Sequence, residues 1–546
     1  PLSAWLNHDG APFYGGTYFP PAPRHGLPSF RQVLAAIAEL WRDRREEIQS
    51  TAVRLREHLA EEENGGQPIP TSRILEKAGD RLAQAFDPAY GGWGQAPKFP
   101  QPLALDYLLS EQAHYPRPEV ERQLVTTLDK MASGGIYDQV GGGFHRYSTD
   151  ESWVVPHFEK MLYDNAQLAR CYLHAWQVLG YPRYREVCEE TLDYLLERMS
   201  HREGGFFSAE DADSEGKEGA FYLWTPAQLN AALDDDEVRL VSENYGVSPE
   251  GDFEGASILH PRGGPRSQGA DAASRGPTDR SAAVTAALAK LKKAREERER
   301  PSRDEKIISA WNGLTLAALA EAARALASES YLQAAQKTGR FLVDRLMQEE
   351  NRLARSWKDG RSSGNGLLED YAGVTEGLLA LYQATFAEKW FTSARALSDV
   401  MVRHFRRDAG GLYDTSDDHE SLIVRPRSLQ DSPTPCGNSL AATVLFKMAA
   451  YTGETVYQDL AEEIVASPPV HLVRAPTMFG QWLAGLFLAE RGVAQVALVG
   501  PPSNPRTGAL RAVRRRRGPS PPRSPAVPHP RPARGAWPAS SPRRPG

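Results

Sequence analysis

The sequence predicts an all-α protein built from paired helices, and three observations carry that reading. From Thr71 to about Glu490 apolar residues recur at helical spacing, stretch after stretch. Connections between stretches alternate, one short and the next long. A glycine-rich loop recurs four times, each copy closing one helical stretch just before the next. The copies are Phe86-Asp-Pro-Ala-Tyr-Gly-Gly-Trp-Gly94, Tyr137-Asp-Gln-Val-Gly-Gly-Gly-Phe-His145, His201-Arg-Glu-Gly-Gly-Phe-Phe207 and Arg407-Asp-Ala-Gly-Gly-Leu-Tyr413. In each, Gly-Gly permits a tight turn and the large apolar residue after it plugs the loop into a core. Such a repeat marks one supersecondary unit copied around an axis or along a stack.

The elements follow in order. Two aromatic or aliphatic runs flank Asp9-Gly10, a hairpin turn signal. A single helix is expected from Pro28 to about Glu62, with Phe30, Val33, Leu34, Ile37, Leu40 and Trp41 on one face. This ββα piece, residues 1–62, is too small to stand alone. It is expected to pack on the helical body through Phe13, Tyr14, Tyr18 and Phe19. Helix pairs are then read at 102–115 with 117–133, 157–179 with 183–200, 307–327 with 331–349, 369–386 with 390–407, and 438–450 with 455–466. Short turns on one side and long loops on the other suit a toroid, where the long loops gather around one pocket, or a solenoid, where they spread along an edge. The body spans 71–490, interrupted by a Gly/Ser/Arg-rich flexible insertion at 261–281. A strand-like terminal segment is expected at 491–517 and a disordered Arg/Pro-rich tail at 518–546.

Composition removes several function classes. The net charge is −6, and the stretch from Arg506 onward holds eleven Arg and no acidic residue, so the body is more acidic than the whole. That argues against nucleic acid as the partner. No apolar run reaches the length of a membrane span. Cys171, Cys188 and Cys436 stand far apart, which excludes a Cys-rich zinc site or a Cys-x-x-Cys pair within this chain and fits the cytoplasm. The opening Pro1-Leu-Ser-Ala-Trp5 is expected to be a truncated start, with no signal peptide to read.

Three passages carry a resemblance: Pro12-Phe-Tyr-Gly-Gly-Thr-Tyr-Phe-Pro20; Gly134 through Ser148 with Trp153-Val-Val-Pro-His-Phe-Glu-Lys-Met-Leu-Tyr-Asp-Asn165; and Asp304-Glu-Lys-Ile-Ile-Ser-Ala-Trp-Asn-Gly313. Ala96-Pro-Lys-Phe-Pro100 and Ser208-Ala-Glu-Asp-Ala-Asp-Ser-Glu-Gly216 support them. Over residues 1 to about 500 the chain resembles the spermatogenesis-associated, thioredoxin-domain-containing proteins. The resemblance implies a thioredoxin-like domain fused to an (α/α)6 toroid of the six-hairpin glycosidase-like type. It also implies a Cys-His-Trp-Cys-type motif upstream of Pro1, so the ββα piece reads as a remnant of that domain and its thiol chemistry is not assigned to these residues. Val496 to Gly500 still matches the family; the Arg/Pro tail does not, as an out-of-frame end would produce.

In such a toroid the pocket lies where inner helices begin. Pro156 is expected to open one, placing His157, Lys160 and Asp164 on one face, with Glu159 and Tyr163 beside them. His145, Arg146 and Tyr147 follow the second Gly-Gly loop as a substrate clamp or as loop anchors. Glu210, Asp211, Asp213 and Glu215 form the densest acidic cluster. It suits the two carboxyls of glycoside hydrolysis, a cation, or plain loop capping. Asp211 and Asp213 are preferred as catalytic, with His157 and Asp370. Glu369, Asp370 and Tyr371 open another inner helix, facing the pocket or complementing the helix dipole. By the resemblance, Trp311 would stack on a sugar ring and Asn312 would read a hydroxyl. Cys436 has no base near it in sequence and is not expected to be a nucleophile.

The expected function is acid–base chemistry on a carbohydrate, either glycoside hydrolysis or sugar epimerisation. The other reading is a non-catalytic ligand- or partner-binding module. A small-molecule substrate, a sugar, is the expected partner, with no nucleic acid, membrane, cofactor or metal. The sequence says nothing of oligomeric state.

Overall fold

A computed structural model of the chain describes residues 2–24, 26–60, 71–261, 281–420, 422, 424–466, 468, 471–498 and 500. The expected tail at 518–546 and nearly all of the 261–281 insertion lie outside the described residues. Of the 491–517 segment, Arg491 ends a helix, and residues 492–498 and 500, the others described, form no strand.

The N-terminal unit is a hairpin of β1 (Ser3–Leu6) and β2 (Pro12–Gly16), followed by α1 (Phe30–Asp43) and α2 (Arg45–Ala60). One helix was expected here. Arg44 leaves helical geometry at φ −135° and splits it in two, after Ser29 and Gln32 have closed a reciprocal cap at its start. Phe13 stacks on Trp41, and Tyr14 and Phe19 pack on Trp5, so these aromatics close on their own unit while Tyr18 stays exposed. The packing on the body expected of them is therefore not what they do.

The body contains α3 (Thr71–Ala85), α4 (Pro102–His114), α5 (Pro118–Ser133), α6 (Leu162–Leu179) and α7 (Pro182–Tyr194). After them come α8 (Pro226–Ala232), α9 (Asp235–Tyr245), α10 (Ala282–Arg295), α11 (Ser309–Leu326) and α12 (Glu329–Phe341). The remainder are α13 (Leu368–Thr385), α14 (Glu388–His404), α15 (Gly437–Thr452), α16 (Thr455–Ala466) and α17 (Gly480–Arg491). Helix α4 packs on α6, α6 on α11, α11 on α13, α13 on α15, α15 on α17, and α17 back on α4. That closed circuit is an inner ring of six helices. Helices α5, α7, α12, α14 and α16 pack outside the inner helix that precedes each, and α3 packs outside α17. The fold is the all-α (α/α)6 toroid expected from the sequence. Its sixth hairpin joins the first and last helices of the body.

The inner helices are apolar nearly all round, because one face meets the outer layer and the flanks meet neighbours. Gly313 and Gly373 set the closest approach. A Cβ on Gly313 would lie 2.3 Å from the Gly373 carbonyl carbon, so α11 and α13 pack backbone to backbone. Between α7 and α11, helices α8, α9 and α10 build a satellite core around Trp224, Leu229, Val241, Tyr245, Leu288 and Leu291.

The loop repeat has a defined geometry. Antiparallel bridges pair Phe86 with Trp93, Tyr137 with Phe144, Ser200 with Phe206, Met347 with Leu353 and Arg406 with Leu412. Five copies are thus present among the described residues. The additional one, before α13, has Asn351-Arg352 where the others have Gly-Gly, and makes its turn with Glu350 and Asn351 at positive φ. In three copies an asparagine of the next inner helix clamps the plug residue. Phe144 N donates to Asn165 Oδ1 (2.6 Å), Phe206 N to Asn312 Oδ1 (2.7 Å) and Leu412 N to Asn438 Oδ1 (3.0 Å). Each asparagine Nδ2 returns a hydrogen bond to the same residue's carbonyl, at 3.0, 3.0 and 2.9 Å. In the glycine-free copy the Tyr371 hydroxyl accepts from Leu353 N at 2.9 Å. Gly142, at φ +74°, seats its loop against the next outer helix, where a Cβ would fall 2.4 Å from the Glu190 carbonyl oxygen.

Replacing Asn312 by Ala strands the buried N–H and C=O of Phe206 together. Each unsatisfied group costs about 1–3 kcal/mol, so Asn312→Ala is expected to lower stability by about 3 kcal/mol in urea unfolding.

Candidate functional site at the mouth of the helix ring

Each inner helix from α6 to α15 begins where a long loop arrives, so the helix starts surround one mouth. Short strands stitch the loops there: β3 (Tyr147–Ser148) with β4 (Pro156–His157); β5 (Lys160–Met161) with β6 (Ala209–Glu210) and β9 (Arg303–Asp304); β7 (Asp213–Ser214) with β8 (Lys217–Glu218); and β10 (Ile307–Ile308) with β11 (Ala354–Lys358) and β12 (Arg361–Asn365). Residues 156–161 are therefore extended rather than helical, and α6 starts at Leu162. His157, Lys160 and Asp164 do not share a helix face as expected.

One polar group forms on the rim. Arg146 Nη1 donates to Glu159 Oε2 at 2.9 Å, and the Arg146 backbone N–H donates to the Glu159 carbonyl at 2.9 Å. His157 Nδ1 lies 2.7 Å from Glu218 Oε1, and its Nε2 lies 3.9 Å from Glu159 Oε2. The Tyr147 ring stacks between His157 (5.0 Å) and Phe99 (4.9 Å). In the first turn of α6, Tyr163 meets Trp311 of α11 edge to face at 4.7 Å. Beside it Asp164 is 4% exposed, and its Oδ2 has no partner. Burial drives this carboxyl well above the usual carboxylate range; Arg146 opposes the shift and Glu159 adds to it. The rim thus gathers Arg146, Tyr147, His157, Glu159, Tyr163, Asp164 and Trp311 from among the residues singled out in the sequence. Glu218 and Phe99 join them.

Other expected site residues are built into the scaffold. His145 is buried, with Nδ1 2.9 Å from the Phe158 carbonyl; burial and the nearby Lys160 pull it down to about 3, so it remains neutral. Lys160 is buried with Asp138, which also takes both guanidinium nitrogens of Arg295 at 2.9 and 3.0 Å. Burial alone would raise Asp138, yet Arg295 and Lys160 hold it well below the usual range. Glu210 is buried under Tyr194 (2.8 Å) and Arg198 (3.1 Å). Asn312 and Tyr371 are loop clamps rather than ligand readers. Asp370 is fully buried: it accepts from Ala310 N and from Arg355 at 2.8 Å each, and from Leu367 N at 2.9 Å. Burial raises it to about 6, with Arg355 opposing. That closure removes Asp370 from contact with a ligand. Glu369 pairs with Arg355 at 2.6 Å. Asp211 and Asp213 stand exposed, Asp211 accepting from Asp213 N and Ser302 Oγ in a turn outside the rim group. Of the acidic cluster, Asp211 caps its own turn and Glu210 is built into the scaffold.

Below the mouth runs a chain of charges that sequence reasoning missed. His174 of α6 bridges Asp106 of α4 and Glu321 of α11, with Nε2 2.9 Å from Glu321. Arg170 binds Glu321 at 2.8 and 2.7 Å and Glu376 of α13 at 2.8 Å, and Lys447 of α15 holds both Glu376 oxygens at 2.7 and 2.6 Å. Three anions meet three cations across five inner helices. The available signal was a charge set in an otherwise apolar stretch of helix, as at Glu321 and Glu376. Elsewhere His404, Asp417 and Asp418 bring one donor atom each within 4.8 Å of one another. Both carboxylates are already engaged, Asp417 with His404 and Asp418 with Arg352. Cys436 is buried at the start of α15, and burial with nearby Asp431 pushes its thiol up, away from nucleophilic character. Among the described residues no helix is long and apolar enough to cross a membrane.

Burial opposes the charge on His174, but Asp106 and Glu321 raise it from 6.5 to about 9. The stability this contributes is fully present below the unfolded value and is lost as pH rises through the folded one. Urea midpoints of the wild type should fall between pH 6.5 and about 9 more steeply than those of His174→Gln.

Residues 1–60 match the profile of a family described as a protein of unknown function, DUF255 (Thioredox_DsbH). Spermatogenesis-associated protein 20 of Mus musculus is 33% identical over 557 residues, covering 93% of this chain and 70% of that protein. Among solved structures, a cellobiose 2-epimerase from Bacillus thermoamylovorans superposes with a TM-score of 0.46 at 8% identity, over 72% of this chain and 85% of that one. A GH76 α-mannanase from Bacteroides thetaiotaomicron gives 0.46 at 13% identity, over 77% and 96%. The chain belongs to the family of spermatogenesis-associated protein 20.

Proposed function

We propose that the mouth of the ring binds a small hydroxyl-rich molecule of the sugar class and moves protons on it by acid–base catalysis. The observation that carries the reading is Asp164, a buried carboxyl with an unpartnered oxygen, driven toward its protonated form in the first turn of an inner helix. A carboxylic acid held neutral is a proton donor. Glu159, ion-paired to Arg146 and half-buried, is the complementary acceptor. Tyr163 and Trp311 supply aromatic surface of the kind that packs on the apolar face of a pyranose. His157, held by Glu218, stands beside them on the rim. Hydrolysis of a terminal glycosidic bond and epimerisation of a free sugar both fall within this chemistry.

A second reading, a binding module without turnover, draws on the Asp106–Lys447 chain of charges, which occupies the ring below the mouth. The two differ in outcome on one panel of monosaccharides and short gluco- and manno-oligosaccharides, followed by product chromatography and calorimetry. Asp164→Asn keeps the neutral shape, so it should fold and bind as wild type while turnover falls about 100-fold or more. Binding without turnover by the wild type selects the second reading, and neither binding nor turnover across the panel removes the sugar assignment.

A further inference from the structure

The loop before α15 crosses the mouth. In the ring order α4, α6, α11, α13, α15, α17, helices α6 and α15 stand opposite each other. Adjacent packed helices lie about 8–10 Å apart, which puts opposite axes of a six-membered ring about 16–20 Å apart. Helix diameters of about 10 Å leave an opening under about 10 Å. Across that opening Gln167 Nε2, in the second turn of α6, donates to the Pro433 carbonyl at 2.7 Å. Pro433 is three residues before Cys436, the cap of α15, and three residues of chain reach about 10 Å. The strap and the glutamine together therefore bridge the mouth.

The strap, residues 428–436, is fastened firmly at its base. The Trp482 indole donates to the Leu429 carbonyl at 2.6 Å, and Asp431 N donates to the Met478 carbonyl at 3.0 Å. The buried Asp431 carboxylate accepts from Gln481 N, Cys436 N and Ser439 Oγ at 2.9, 2.9 and 2.7 Å, tying α15 to α17. The tip differs: Ser432 and Pro433 are exposed, and Gln167 ties them to the opposite wall. Gln167 itself is 8% exposed, and its Oε1 has no partner. Three residues earlier on the same face of α6 is Asp164, whose Oδ2 is also unpartnered.

We infer that Gln167 is the specificity-determining catch of this strap: its amide nitrogen holds the strap closed, its carbonyl oxygen is left for a ligand hydroxyl, and the bridged mouth admits ligands end-on only. A free monosaccharide or the terminal unit of a chain fits beside the strap, whereas the interior of a polymer does not. The inference rests on the mouth being the ligand site, but the latch has a readout of its own.

Hydrogen exchange on the full chain without ligand reads the tip amides of Ser432 and Thr434. In Gln167→Ala, and in Gln167→Glu, which keeps the side-chain shape but loses the donor, exchange of these amides should rise about tenfold with amides in the middle of α13 unchanged. Unchanged strap exchange in both variants overturns the latch. In parallel, mannose, glucose and N-acetylglucosamine are titrated against soluble mannan and dextran. Wild type binding a monosaccharide but not its polymer, with the preference relaxed in Gln167→Ala, supports end-on admission; equal wild-type affinity for polymer interior and monosaccharide overturns it. Faster strap exchange with no sugar bound by any protein upholds the latch and removes the sugar reading instead.

Discussion

The clamp between an inner-helix asparagine and the plug residue of the loop before it is the contact on which the remaining geometry rests. Asn165, Asn312 and Asn438 each spend a carbonyl and an amide on one residue of a turning loop, so both backbone groups of that residue are satisfied inside the core. The plug ring or leucine then fixes where the preceding outer helix ends, and the asparagine fixes where the next inner helix starts. Repetition of that one joint sets the radius of the ring and the level at which the helix starts meet. Tyr163 and Asp164 reach the mouth because Asn165, their neighbour in the same turn, is held by Phe144.

Two sets of buried charge surround this joint and differ from the rim in that each carboxylate is bonded to a cation. Asp138 pairs with Lys160 and Arg295 together, locking the satellite helix α10 to the second glycine loop. The chain from Asp106 to Lys447 alternates in sign along its length and crosses most of the ring. Fully paired buried ions carry large desolvation costs that their mutual attraction offsets, and removal of one partner is costly. Asp164 is the contrast. It has Arg146 nearby but no bond to its inner oxygen, and it resolves the burial by favouring its neutral form.

Much of the fold was legible in the sequence because helix periodicity and glycine loops report local geometry. Five hairpins could be paired by their short turns. The sixth could not, since α3 and α17 stand at opposite ends of the body and periodicity does not name partners. The loop before α13 was hidden because Glu350 and Asn351 take positive φ without glycine. At the site, residues beside the second loop did reach the rim, including Arg146, Tyr147 and Glu159. His145, Glu210, Asp370, Asn312 and Tyr371 were chosen for the same residue chemistry but serve the scaffold, because a polar group that terminates a loop and one that meets a ligand look alike until burial is known. Glu218 and Gln167 were missed since each acts through a partner far along the chain, His157 and Pro433.

The hairpin made of α3 and α17 also sets an order of events. Arg81 of α3 donates to the Arg474 carbonyl just before α17, 393 residues apart, and Gly480 opens α17 where a Cβ would fall 2.5 Å from Ala104 N of α4. A ribosome delivering this chain has released five hairpins before the clasp exists, so α3 and the flank of α4 wait, apolar and uncovered, until the final helix arrives. Closure of the ring thus waits until the other five hairpins have been made.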